Sequence, residues 1–242
     1  MRSISTRRLH RPRPRRRSTG RRTALVLLTA LFTTFGLAAG PAVAAGRTPD
    51  CSAATGPYQT AVERHLGVTP DGVQSAGDCA AIRTLQSRNG MEAANGYAGP
   101  ETWRIVQYEK ARADPMSLTG CPHGARLAVC VDLNRQLLWV WDGTQVAYGP
   151  VPIRSGKPGY ATRTGVHRIY ERVEKQWSEL YEGPMPFSQF FDGGQALHAS
   201  YRDIWEEPGS HGCVNLRYED ARRLWRGLRL DDAVHVWGTR GP

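Results

Sequence analysis

The sequence predicts a multidomain α + β protein: a small three-helix N-terminal module, then a β-rich, mixed sandwich- or barrel-like domain with one late helix. Three observations predict it. Apolar residues follow helical spacing through 57–110, strand-like alternation replaces that spacing after residue 120, and four of the five cysteines divide two and two between these regions. The 242 residues suffice for two small domains and an export leader.

The leader comes first in the chain. An Arg-rich stretch runs to Arg22, Thr23–Ala39 is uncharged, Gly40-Pro41 breaks it, and Ala42-Val43-Ala44 gives the small–x–small pattern read by signal peptidase. Residues 1–45 are therefore expected to be a signal peptide, exported by the general or the twin-arginine route (Arg21-Arg22). An uncleaved anchor is the alternative, because 23–45 is just long enough to span a bilayer. The leader also explains the formal charge of +10. Ten arginines precede Thr23, and the 22 remaining Lys and Arg match 22 Asp and Glu. A neutral mature chain removes the main support for nucleic-acid binding.

Residues 46–112 form the expected helical module. Tyr58, Ala61, Val62, His65 and Leu66 share one helical face, and Thr69-Pro70-Asp71-Gly72 makes a turn. Ala81, Ile82, Leu85 and Gln86 mark a second helix closed by Asn89-Gly90. Pro100 suits the first turn of a third, which carries Thr102, Trp103, Ile105 and Val106. So short a unit has a thin core, and a disulfide would compensate. A linker spans 113–120. The second domain, 121–242, reads as strands at Arg126–Asp132 and Gln136–Trp141, an Asp142-Gly143 turn into Gln145–Tyr148, then Val151–Arg154, His167–Val173, Phe187–Phe191, Ala196–Ala199 and Ala233–Trp237. Ala221, Leu224, Trp225 and Leu228 line the late helix, and Glu219 and Asp220 stand in its first turn.

Outside the cell an even set of cysteines pairs and an odd one is left over. Local pairing of Cys51 with Cys79 and of Cys121 with Cys130 would staple each region and leave Cys213 free, one of three pairings those four allow. Cys213 stands in Ser210-His211-Gly212-Cys213-Val214-Asn215, an imidazole two residues before a thiol with a permissive glycine between. Backbone amides at such a turn, near a following helix start, can hold an oxyanion. His198, at the end of a strand, can reach the same place. A thiol beside an imidazole is the minimum set for acyl transfer through a thioester. From the residues alone the alternatives stay open: an inert buried thiol, a structural histidine, or a zinc site of His198, His211 and Cys213, for which neither CxxC nor HxxxH spacing is present.

The segment from Met185-Pro186 through Gly194-Gln195-Ala196-Leu197-His198 to Ser210-His211-Gly212-Cys213-Val214-Asn215-Leu216 resembles the active-site region of bacterial L,D-transpeptidases, over roughly 121–240. The resemblance implies Cys213 as nucleophile and His198 as proton acceptor, with a main-chain carbonyl orienting the base. Ser210, His211 and Gly212 shape the pocket and the oxyanion site, with His211 the second choice as base. Asn215 falls at a substrate-binding position where many members have Arg, and Ala199 where they often have Gly or Ser. The implied partner is peptidoglycan, with a tetrapeptide stem as donor, release of D-alanine and a side-chain amine as acceptor; the alternatives are water as acceptor, which makes an L,D-carboxypeptidase, and a non-catalytic cell-wall-binding protein. No metal or cofactor is required, and a monomer is expected. The helical module resembles peptidoglycan-binding three-helix units at Val62, Leu66, Gly67, Asp71-Gly72, Ala81-Ile82, Leu85-Gln86, Asn89-Gly90, Gly99 and Thr102-Trp103, and departs at Gly77-Asp78-Cys79. Tyr160, Trp177, Tyr181 and Trp205 are candidates for a lid or wall of the cleft, or for the core.

Overall fold

The computed structural model describes residues 51, 53–121 and 126–241; the leader expected over 1–45 lies outside them. Three helices open the described chain: α1 (Gln59–Leu66), α2 (Ala76–Arg88) and α3 (Pro100–Ala113). Each end has a local cause. Gly67 turns left-handed after α1, and Pro100 occupies the first turn of α3 as expected. Helix α2 starts on a capping box: Ser75 Oγ accepts from the Asp78 amide while the Asp78 carboxylate accepts from the Ser75 amide.

Nine strands follow: β1 (Ala128–Asp132), β2 (Leu137–Trp141), β3 (Val146–Pro152), β4 (Gly165–Arg168), β5 (Glu171–Ser178), β6 (Gly183–Asp192), β7 (Gln195–Ala199), β8 (Val214–Leu216) and, after helix α4 (Tyr218–Gly227), β9 (Ala233–Trp237). They form a five-stranded sheet in the order β3-β2-β1-β9-β4 and a four-stranded sheet in the order β5-β6-β7-β8. Both sheets are mixed, with β1 parallel to β9 and β7 parallel to β8. The α + β architecture agrees with the sequence expectation.

Three local readings are corrected. The run His167–Val173 is two strands, because the chain changes sheets at Ile169-Tyr170. The Ile169 amide donates to Asp232, beside β9, and the Tyr170 amide donates to Phe190 of β6. The separate runs Gln145–Tyr148 and Val151–Arg154 fall mostly within one strand, β3. The late helix begins at Tyr218 with Glu219 and Asp220 in its first turn as expected, but a short strand the sequence reading lacked, β8, stands between it and Cys213. Val214 and Leu216 alternate into the core, and period-two burial is a strand property.

Strands β1 and β2 were expected to alternate between core and solvent, yet almost every residue in them is buried. Val129, Val131, Leu138 and Val140 face the core between the two sheets, joined by Leu197, Val214, Leu224 and Val234. The intervening Ala128, Cys130, Leu137 and Trp139 face a second core with Val62, Ile82, Leu85, Ile105 and Val106 of the helices. The helices thus cover the outer face of the five-stranded sheet, and the described residues form one compact unit. Cys51 is bonded to Cys79 and Cys121 to Cys130, each with a Cα separation of 5.5 Å, and Cys213 is free. No described helix is long and apolar enough to cross a membrane.

Candidate active site

Strands β7 and β8 run side by side with His198 opposite Asn215. Leu197, Ala199, Val214 and Leu216 point into the core between the sheets. Period two then sends His198, Cys213 and Asn215 to the other face, where all three line one cleft of about 310 Å³. A single strand pairing thereby brings together residues fifteen positions apart in the chain.

His198 is almost wholly buried, and its Nδ1 lies 2.7 Å from the Ala199 carbonyl. Nδ1 must carry the proton to make that bond, which leaves the Nε2 lone pair as the basic site. Burial pushes the imidazole down to about 4, helped by the nearby Arg154 charge and opposed by the Ala199 hydrogen bond. Burial also pushes the Cys213 thiol above its ordinary value, against a hydrogen bond from the Ala196 amide. Its S–H is directed at the Gly194 carbonyl, 3.9 Å away. The resting pair is a neutral thiol and a neutral imidazole.

The turn before Cys213 is tied from inside and outside. Ser210 Oγ donates to the Cys213 carbonyl at 2.5 Å and accepts from the Gly212 amide at 3.1 Å. Gly212 has φ +114°, and a Cβ there would lie 2.6 Å from Gln195 Nε2, so the position requires glycine. Thr162 Oγ1 donates to the Gly212 carbonyl at 2.8 Å and accepts from the Gly156 amide at 2.9 Å. The Gly212 amide is therefore occupied by Ser210, and no helix terminus adjoins the turn. The Cys213 amide is the better placed of the two for an oxyanion.

His211 is exposed and sits among aromatic rings: Tyr181 is stacked on it at 4.3 Å and Tyr160 meets it edge-on at 4.8 Å. Partial burial and the Lys157, Arg154 and Arg202 charges lower its proton affinity. Asn215 is buried, with Oδ1 lacking a partner. Of the four aromatic candidates, Tyr181 lines the cleft and Tyr160 supports His211. Trp177 lines a neighbouring groove, and Trp205 belongs to the core under the helices. Among the described residues no cluster of His, Cys, Asp and Glu has the makings of a metal site. Sequence reasoning missed Arg154, Lys157 and Arg202, three cations in the cleft lining. Arg154-Ser155-Gly156-Lys157-Pro158-Gly159 leaves the end of β3 with two basic residues among turn formers, and that composition was the available signal.

A family model described as the L,D-transpeptidase catalytic domain matches residues 126–236. The solved L,D-transpeptidase (Yku) from Stackebrandtia nassauensis is 37% identical, with 79% of this chain and 95% of that one covered and a TM-score of 0.57. The chain belongs to the L,D-transpeptidase family. A family L,D-transpeptidase from Xylanimonas cellulosilytica (residues 123–326) is 24% identical, covering 76% of this chain and 95% of that one with a TM-score of 0.45. One from Mycobacterium smegmatis is 18% identical, covering 47% and 59% with a TM-score of 0.44. Comparison with curated proteins finds no match. Family membership makes this a cell-wall transpeptidase whose substrate class is peptidoglycan and whose place of action is outside the cytoplasm.

Proposed function

We propose that this chain cross-links peptidoglycan stems by cysteine-dependent L,D-transpeptidation. The observation that carries the reading is the placing of the one free thiol, Cys213, directly before β8 and of the main-chain-anchored His198 on the adjacent strand β7, both lining one cleft. Cys213 Sγ attacks the carbonyl between the third stem residue and its terminal D-alanine, and His198 Nε2 accepts the thiol proton. The tetrahedral oxyanion lies at the Cys213 amide, held in place by the Ser210 bridge to the Cys213 carbonyl. As the C–N bond breaks, His198 returns the proton to the departing D-alanine amine. The thioester is then attacked by a side-chain amine of a neighbouring stem, which restores the thiol and leaves a third-residue cross-link. Asn215 Oδ1, buried without a partner, is suited to accept a substrate N–H.

We place export in the leader 1–45, which carries the peptidase pattern Ala42-Val43-Ala44 and is removed, with the helical module at 46–112, a linker at 113–120 and the catalytic part at 121–242. The chain acts as a monomer. Incubation with disaccharide-tetrapeptide and mass analysis of protein and products tests the mechanism. Dimer, free D-alanine and a thioester adduct on Cys213 are expected, all lost in Cys213→Ala. Tripeptide without dimer would reassign the acceptor to water. Full activity of Cys213→Ala would end the reading.

A further inference from the structure

The cleft's charge is one-sided. Arg154, Lys157 and Arg202 line it, and no carboxylate does. Lys157 lies over the Tyr160 ring at 5.0 Å. Arg202 is paired with Glu206 through both its Nε, at 2.7 Å, and its Nη2. That pairing consumes Glu206. Arg154 is left with a single 3.5 Å contact from Nη1 to the same carboxylate, although only 3% of its surface is exposed. Its Nε is buried with no partner. A guanidinium has five donors and stays charged, so burying one with so few acceptors is costly unless a ligand completes the set. Its backbone fixes where it sits: the amides and carbonyls of Arg154 and Asn215 exchange hydrogen bonds at 3.0 Å in each direction. Arg154 is thereby held beside the strand pair that carries His198 and Cys213.

We propose that Arg154 is the floor of a carboxylate-binding subsite that takes the terminal α-carboxylate of the donor stem. The inference rests on the transpeptidase reading above for the identity of that donor. The terminal carboxylate is the anion closest to the chemistry, one residue, or about 3.8 Å, beyond the attacked carbonyl. Charge-assisted pairing with a planar guanidinium favours a carboxylate over an amide of the same shape by about 10- to 100-fold. Such a subsite selects stems that end one residue past the scissile bond. It also holds the leaving D-alanine while His198 protonates it.

The test is binding, so that it does not depend on turnover. Full-length Cys213→Ala protein is titrated calorimetrically with three ligands: a tetrapeptide stem with a free terminal carboxylate, the same stem ending in D-alaninamide, and a stem whose other carboxylates are amidated. Cys213→Ala is expected to bind the free acid about 10- to 100-fold more tightly than the D-alaninamide form, with little effect of the other amidations. Adding Arg154→Gln should bring the free acid down to the amide's affinity and leave the amide's own affinity unchanged, which also reports an intact fold. Arg154→Lys keeps a reduced preference and serves as the test should the Gln variant not fold. A preference that survives Arg154→Gln, or that follows the other carboxylates, overturns the subsite. Wild-type turnover separates the two claims: an inactive enzyme that still prefers the acid breaks the transpeptidase reading alone, and an active one with no preference breaks the subsite alone.

Discussion

The two walls of the cleft are held by different means. One is sheet: His198 stands on β7 and Cys213 immediately precedes its parallel neighbour β8, and the core face of those strands is fully buried. The other is the segment 200–211, which leaves the sheet after β7 and returns at Cys213. This segment is fastened from outside, by the helices. Trp205 Nε1 donates to the Asn89 carbonyl at 3.0 Å, at the end of α2. The Glu92 amide donates to Asp203 at 2.9 Å, and Arg104 of α3 pairs with Glu207 at 3.1 Å while also donating to the Trp205 carbonyl. The side of the cleft that carries His198 is thus built on the sheet, and the facing rim leans on the helical unit. A three-helix unit that would be a marginal fold alone gains a shared core and, in return, positions the loop between base and nucleophile.

Breaking the sheet wall should have the largest effect. His198→Gln is expected to lower kcat/KM by about 10²- to 10⁴-fold, the usual contribution of a positioned general base. The wild-type pH profile sharpens the point. An imidazole pushed down to about 4 is in its base form above that pH, so the acid limb of kcat/KM should fall near 4. Because burial raises the thiol, ultraviolet titration should find no thiolate at pH 7. A thiolate signal persisting to pH 6 would mean a preformed ion pair in place of the neutral thiol and imidazole. The same group couples to stability. Its folded pKa lies below the ordinary 6.5, so the unfolded chain binds the extra proton, and stability is lost as pH falls from about 6.5 to 4. That loss amounts to about 3 kcal/mol, and denaturant titration at the two pH values should find it absent from His198→Gln.

Breaking the helix-held wall should cost stability more than chemistry. Trp205 is 1% exposed and packs against Tyr108 at a ring separation of 6.0 Å. Trp205→Ala is expected to destabilise the fold by about 3–5 kcal/mol, leaving the Asn89 carbonyl with Arg217 Nη2 as its donor. In the folded fraction KM should rise more than kcat falls, because the rim loosens while His198 and Cys213 stay on their strands. Urea denaturation and steady-state kinetics check the two halves. A loss under about 1 kcal/mol would show that the rim does not depend on the helices.

These walls differed in how legible they were. The meeting of Cys213 and His198 in one cleft was legible because motif and strand end are local signals, and cysteine parity pointed to a free thiol, while the pairing Cys51–Cys79 and Cys121–Cys130 was one of three the sequence allowed. The α + β class was legible for the same reason. Strand β8 was not, since three residues give too short a period, and its identity comes from pairing with β7. Nor was the double-sided burial of β1 and β2, because it is imposed by helices remote in sequence. Arg154 looked like an ordinary strand-end cation until the fold removed its acceptors. The apolar and amide residues by which the helical module resembles wall-binding units include several that are interior, Val62, Ile82, Leu85, Gln86 and Thr102, whereas Gly67, Asp71 and Gly90 are exposed at its turns. The interior part of the pattern describes how the helices pack more than what they bind.

The smallest expected effect separates the two histidines, one on each wall. His211 adjoins the nucleophile in sequence, so proximity in the chain favours it as the base; its surroundings do not. No hydrogen bond to its ring fixes a tautomer, its neighbours are Tyr181 and Tyr160, and Lys157 opposes its protonation. His198 has the carbonyl that a directed base needs. His211→Gln should therefore change kcat by no more than about 3-fold, raise KM by about 3- to 10-fold through the loosened aromatic rim, and leave the acid limb near 4, where His198 puts it. Tyr181→Phe preserves the stacked ring and should behave as wild type. A His211→Gln defect as deep as that of His198→Gln, with the acid limb displaced, would move the base from the sheet wall to the loop wall and make the nearer imidazole the working one.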